Sequence, residues 1–179
     1  MSLKDSFSDL REGNKVYART FGKGYRPGYI EIQRPHTSVL CCSDSRVPIE
    51  QIFNLQAGEV FVVREAGHVP QENSLASLEF SITSLGIKNL LVLGHTQCGA
   101  VNATLSNQDL GSENLNKLAS IIRKNINLDS NLDEAIKQNA ENTINLLRKS
   151  KIIADAIDSG RIKYTYGIYN IMNGNVTIY

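Results

Sequence analysis

Two compact apolar runs each break off into groups that are chemically demanding. Thr37–Leu40 leads into Cys41-Cys42-Ser43-Asp44-Ser45-Arg46-Val47-Pro48, and Leu90–Leu93 leads into Gly94-His95-Thr96-Gln97-Cys98-Gly99-Ala100. Runs this short and uniformly apolar suit strands covered on both faces, as in a parallel α/β sheet. In such a sheet ligand sites gather beyond the carboxyl ends of the strands. Two strand ends therefore bring Cys42, His95 and Cys98 to one point. Two thiolates and an imidazole are donors that zinc favours, and three protein ligands leave a fourth position open for chemistry. Asp44 and Arg46 follow Cys42 at alternate positions, which in an extended loop turns all three side chains to one side. The stretch reads as a catalytic zinc site.

The rest of the chain supplies the expected frame. The fold class is α/β, a mainly parallel central sheet flanked by helices, in a single zinc-binding domain over 1–179 that opens with a helical and irregular arm over 1–30. In that arm Leu10–Asn14 with Val16 and Tyr17 suggests a short amphipathic helix, and Gly22–Pro27 reads as irregular. Thr37–Cys42 is the first expected strand and Val60–Val63 the second. Ser74–Leu85 carries Leu75, Leu78, Ile82 and Leu85 at helical spacing, with Gly86 placed to cap it. Lys88–Gly94 is the third strand, and strand–helix–strand order implies a right-handed crossover. Two apolar stripes follow: Leu115, Leu118, Ile121 and Ile122, then Leu132, Ile136, Ala140, Ile144 and Leu147. Both are read as core faces of helices rather than as a cofactor box. Ile152–Ile157 is a further short helix. Ile162–Ile171 is a strand, returning as Val176–Tyr179 through an Asn173-Gly174 type I′ turn.

Length and charge exclude several function classes. At 179 residues the chain is one domain with room for a substantial core. A formal net charge of +1 argues against a nucleic-acid partner, which needs a concentrated basic face. No apolar run is long enough to span a bilayer. No charged, apolar and small-residue leader opens the chain, so the expected location is the cytoplasm; a signal peptide already removed would leave no trace. Three cysteines, two of them adjacent, suit metal-bound thiolates in a reducing compartment better than a disulfide framework.

Each motif has a plainer reading. Alone, Cys42 or Cys98 is a small buried hydrophobe and His95 a structural histidine; together at two strand ends they favour a metal. Cys41 faces the other side of the strand and is expected to pack in the core. Zinc with two thiolates and a neutral imidazole carries no net charge, so its water is less acidic than on a three-histidine site. An acceptor for the hydroxide proton then helps, and Asp44 can serve, or can occupy the fourth position itself. Arg46 has the planar fork to hold that carboxylate in one geometry. A sulfurtransferase-like loop with Cys41 as nucleophile is disfavoured, because Asp44 would place a negative charge inside an anion cradle that also lacks glycine.

Cys42-Ser-Asp-Ser-Arg-Val-Pro48, Gly58-Glu-Val-Phe-Val-Val-Arg-Glu-Ala-Gly67, Ser77-Leu-Glu-Phe80 and Gly94-His-Thr-Gln-Cys-Gly-Ala-Val101 together resemble the β-class carbonic anhydrases. The likeness runs from about Leu10 through Tyr164–Ile168. It implies zinc held by Cys42, His95 and Cys98, an Asp44–Arg46 dyad, and reversible hydration of carbon dioxide to bicarbonate by attack of zinc-bound hydroxide. It implies a homodimer or homotetramer with clefts at the subunit interface, and a substrate pocket lined by Gln33, Phe61 and Phe80. Phe80 stands where tyrosine is frequent, Val39 where some members place a tryptophan of an inhibitory bicarbonate pocket, and His68 where asparagine is usual. His68 is a possible proton shuttle or a hydrogen-bonding partner of a neighbouring loop. Related proteins of this fold hydrolyse carbon disulfide or carbonyl sulfide on the same ligands, and a non-catalytic zinc-stabilised protein is a third reading.

Overall fold

The computed structural model describes residues 7–20 and 31–179, so the irregular stretch expected over Gly22–Pro27 lies outside them. A five-stranded sheet runs through the molecule in the order β2-β1-β3-β4-β5. Its strands are β1 (Thr37–Cys41), β2 (Val60–Arg64), β3 (Asn89–His95), β4 (Lys163–Tyr169) and β5 (Val176–Ile178). β1 pairs in parallel with β2 and β3, and β3 with β4; β5 alone is antiparallel. The expected mainly parallel α/β architecture is therefore present. Among the described residues there are seven α-helices: α1 (Phe7–Thr20), α2 (Ile49–Ile52), α3 (Glu72–Thr83), α4 (Gly99–Leu105), α5 (Glu113–Arg123), α6 (Leu132–Leu147) and α7 (Lys151–Asp158).

Side-chain alternation divides the apolar residues between the two faces. Leu40, Val63, Leu90 and Val92 pack with Leu78 and Ile82 of α3, Ala140, Ile144 and Leu147 of α6, and Ile153 and Ala156 of α7. Val39, Cys41, Leu91 and Leu93 turn to the opposite face, against Val47, Ile49, Phe53 and Tyr169. Cys41 is wholly buried there, on the side away from Cys42. A third cluster lies beyond the strand ends, where Cys42 and Cys98 pack with Val69, Val101, Ile122, Ala135 and Ile136. Both candidate ligand sulfurs thus sit in apolar surroundings. Burial of each valine, leucine or isoleucine in these clusters contributes about 1.5–3 kcal/mol.

Helix ends follow local chemistry. Asn131 accepts from the Glu134 N–H while Glu134 reaches back to the Asn131 N–H, a capping box that starts α6. Ser112 and Ser150 cap α5 and α7 through their hydroxyls. The sequence reading had no place for α2 or α4, which are four and seven residues long. Helices that short carry too little periodicity to be seen. The hairpin also differs from expectation: β4 ends at Tyr169, pairs with Val176, and leaves a six-residue loop rather than a two-residue turn. Asn170 accepts from the Met172 N–H and Asn173 from the Asn175 N–H, so side chains capture the amides a tight turn would use.

Candidate metal centre

β1 and β3 are hydrogen-bonded neighbours in register, Cys41 level with Leu93, so both break off at the same end of the sheet. Cys42 follows β1 directly and His95 is the last residue of β3. Cys98 occupies the N-cap position of α4. One ligand atom from each of Cys42, His95 and Cys98 lies within 4.8 Å of the others, and all three residues are buried.

The donors suit a metal ion. The His95 Nδ1–H donates to the Thr96 carbonyl at 2.9 Å, which leaves the Nε2 lone pair facing inward. Nε2 is buried and has no hydrogen-bond partner among the described residues. A buried ring nitrogen without a partner is costly in an ordinary core and expected of a ligand. The Cys42 thiol is held well below its ordinary pKa, first by hydrogen bonding from Cys98, opposed by burial, and assisted by His95 and the Asp44 and Gly67 N–H groups. The Gly67 N–H lies 3.3 Å from Cys42 Sγ. The same hydrogen bond, together with burial, pushes the Cys98 thiol up, so the two sulfurs share one proton that a bound cation would displace; two cysteine sulfurs and one imidazole are a zinc-type set.

Beside them Asp44 and Arg46 form a paired fork. Arg46 donates from Nε to Asp44 Oδ1 at 2.9 Å and from a terminal nitrogen to Oδ2 at 2.8 Å, and its backbone N–H also reaches Oδ1 at 2.9 Å. These bonds, Arg46 first, hold the Asp44 carboxyl well below the usual carboxylate range, against a smaller cost of burial. The pair meets by a route other than extended alternation. The Val47 N–H bonds to the Asp44 carbonyl, so the chain turns at Asp44, and the carboxylate captures its own loop in an Asx turn. Asp44 Oδ2 sits 3.9 Å from His95 Nε2.

Sequence reasoning missed two supports of this site. Arg64 donates to the Asp44 carbonyl at 2.7 Å from the neighbouring strand. Asn139 of α6 donates to the Gly67 carbonyl at 2.8 Å, across 72 positions of sequence. No local spacing announces a contact of that range. His68, named above as a shuttle or a structural residue, is wholly buried. Its Nε2 is 3.0 Å from the Asn139 amide nitrogen, and burial lowers its pKa to about 4.

The pocket residues lie elsewhere. Phe61 is level with Ser38, four residues before Cys42, a separation of about 13 Å along a strand. Phe80, near the end of α3 and half exposed, packs against it with ring centroids 6.4 Å apart. Gln33 is exposed in the lead-in to β1. In one chain Phe61, with Phe80 packed on it, stands off from the Cys–His–Cys group.

Fold and site together define a parallel α/β protein with a buried Cys₂His centre at two strand ends, flanked by a paired carboxylate and guanidinium. A family model described as carbonic anhydrase matches residues 37–176. A carbonic anhydrase of Mycolicibacterium smegmatis is 35% identical over 186 residues, covering 99% of this chain and 90% of that one. The β-carbonic anhydrase of Aspergillus fumigatus superposes with a TM-score of 0.84 at 26% identity, over 98% of this chain and 91% of that chain. Tetrameric β-carbonic anhydrases of Sordaria macrospora share the fold at a TM-score of 0.83 and 23% identity, over 98% and 97%. The chain belongs to the carbonic anhydrase family, in its β class.

Proposed function

We propose that the protein is a zinc-dependent carbonic anhydrase that interconverts carbon dioxide with bicarbonate and a proton. The observation that carries this reading is the buried Cys42–His95–Cys98 group with an unpartnered His95 Nε2. When bound there, zinc supplies the Lewis acidity that makes water nucleophilic near neutral pH. His95 Nδ1, fixed on Thr96, keeps the ring in the tautomer that offers Nε2. Arg46 occupies both carboxylate oxygens of Asp44 and holds it beside the donors rather than among them. Asp44, ionised and next to His95 Nε2, orients the attacking water and accepts its hydrogen bond. His68 serves the structural alternative: a buried ring of low basicity has no path by which to ferry protons to solvent.

Gln33, Phe61 and Phe80 reach the centre in this reading only from a second copy of the chain, which makes the working unit a dimer or a tetramer. Exposed Phe7, Leu10 and Val16 of α1 give such an assembly an apolar surface to cover. Cys41, Cys42 and Cys98 are free thiols, which suits a reducing compartment, and we place the protein in the cytoplasm. Among the described residues no helix is long and apolar enough to cross a membrane.

The test is metal analysis together with stopped-flow hydration of carbon dioxide. One zinc per chain and rapid hydration are expected, with Cys42→Ala and His95→Ala losing both together. Stoichiometric zinc and parental turnover in either variant would overturn the ligand assignment, and a zinc-loaded parent without hydration would overturn the activity.

A further inference from the structure

One buried polar chain has no role in the reading above. The Asn142 amide nitrogen donates to the Asn125 carbonyl at 2.8 Å, and the Asn125 amide nitrogen donates to Asn139 Oδ1 at 3.0 Å. The Asn139 Nδ2 group donates to the Gly67 carbonyl at 2.8 Å and faces His68 Nε2 at 3.0 Å. On its other side Gly67 donates its N–H to Cys42 Sγ. Asn139 and His68 are wholly buried and Asn125, in the turn after α5, nearly so; around Asn139, α6 is otherwise lined by Ala135, Ile136 and Ala140. Amides in such a place are costly unless every group is bonded, and a core of this kind packs well without them.

What the amides grip is an unusual piece of backbone. Gly67 and His68 both take left-handed conformations, with φ of 65° and 48°. A Cβ on Gly67 would approach Ile122 Cδ1 to 2.7 Å, so the chain there sits tight against α5. Positive φ is uncommon for a residue other than glycine, and here the turn is also tied by the His68 N–H to the Glu65 carbonyl at 2.8 Å. The His68 ring and the preceding carbonyl are both fastened to Asn139, and the turn delivers the Gly67 N–H to the sulfur.

We propose that Asn139 is a positioning residue of the metal centre: by gripping the Gly67 carbonyl and the His68 ring it aims the Gly67 N–H at the Cys42 sulfur and sets the strength of the bond from that sulfur to the metal. An N–H donated to a thiolate draws electron density from it and fixes the direction of its remaining lone pairs. Partners one step removed from a metal typically change affinity or activity by about 10–100-fold when lost. The inference rests on the zinc reading and deepens it, since it assigns Asn125 and Asn139 to a site whose ligands all precede residue 99.

The experiment compares the full chain with Asn139→Ala, Asn125→Ala and Thr143→Ala. Thr143 lies one turn beyond Asn139 on α6, is equally buried, and its hydroxyl has no partner among the described residues. Zinc affinity is read by competition with a chromophoric chelator, and the sulfur-to-metal charge-transfer band is read after substitution with Co²⁺. Asn139→Ala is expected to weaken zinc binding about 10–100-fold and to move the Co²⁺ band to longer wavelength, because an unbonded thiolate gives up an electron more easily. Asn125→Ala, which only releases the strut behind Asn139, gives a smaller change in the same sense and carries the test should Asn139→Ala not fold. Thr143→Ala leaves affinity and band unchanged. Parental affinity with an unmoved band in a folded Asn139→Ala or Asn125→Ala would overturn the proposal. So would equal weakening in Thr143→Ala, which would reduce the effect to a general loosening of α6. Failure of the zinc reading itself looks different: the unsubstituted protein then takes up no zinc, and both ideas fall.

Discussion

Asp44 has both carboxylate oxygens committed to Arg46, and this decides what its substitution does. Asp44→Asn keeps the shape but cannot pair with the guanidinium or accept a proton. Zinc content is expected to stay at one per chain while hydration falls by one to a few orders of magnitude, in the range of general-base losses. Arg46→Ala is expected to follow it, because a carboxylate released from the fork is free to swing towards His95 Nε2. Parental rates in both variants, from stopped-flow measurement, would make the pair structural. A folded-state pKa held below the ordinary carboxylate range keeps Asp44 ionised from about pH 5 upward. Its stabilising contribution is present there and is lost only as pH falls through that lowered value. His68, although a base, shifts stability in the same direction: its pKa drops from 6.5 to about 4 on burial. Between those values the unfolded chain binds the proton and the folded one does not, so stability declines as pH falls from about 6.5 to 4, by on the order of 3 kcal/mol. Thermal melting of parent and His68→Asn across that window is the check; the difference in slope between them is expected to carry the effect, since asparagine tolerates the same backbone and does not titrate.

At the scale of elements, α6 matters most for the site. It packs on β3, supplies Ala140, Ile144 and Leu147 to the core, and carries Asn139 to the Gly67 turn. Its start depends on the Asn131–Glu134 capping box. Asn131→Ala is expected to cost about 1 kcal/mol in denaturant unfolding, with zinc content and hydration unchanged, because the cap lies two turns from Asn139. Loss of zinc from this variant would show that α6 moves as a unit on the metal centre. The stripe Leu132, Ile136, Ala140, Ile144 and Leu147 was plain in the sequence because a long amphipathic helix repeats its signal over four turns. Its use as a frame for the site was not, because a single asparagine within such a stripe carries no periodicity.

For the whole molecule, the separation of Phe61 and Phe80 from the Cys–His–Cys group is the informative feature. In one chain Phe61 lies level with Ser38, four positions before Cys42, and the apolar side chains of α1 face outward with Phe7 at 82% exposure. Sedimentation of the zinc-loaded protein at micromolar concentration is expected to show a dimer or tetramer. Phe80→Ala should then change the KM for carbon dioxide without loss of zinc. A fully active monomer would remove Gln33, Phe61 and Phe80 from the pocket.

Chain chemistry alone specified the strands, because β-branched and leucine runs bounded by Gly, Pro and polar loops suit a buried pleat and little else. It also named the three side chains that the fold gathers, Cys42, His95 and Cys98, because two sulfurs and an imidazole close to strand ends suit a metal ion. Tertiary structure decided what spacing cannot express. The turn at Asp44, rather than an extended loop, joins Asp44 to Arg46, since a carboxylate finds its own backbone N–H before it finds anything distant. The placement of His68 beneath α6, not its residue type, lowers its basicity. The grip of Asn139 on Gly67 exists only because α6 crosses the strand ends after 72 residues of intervening chain. Local chemistry names the groups; packing sets their distances, their dryness and therefore their acidity.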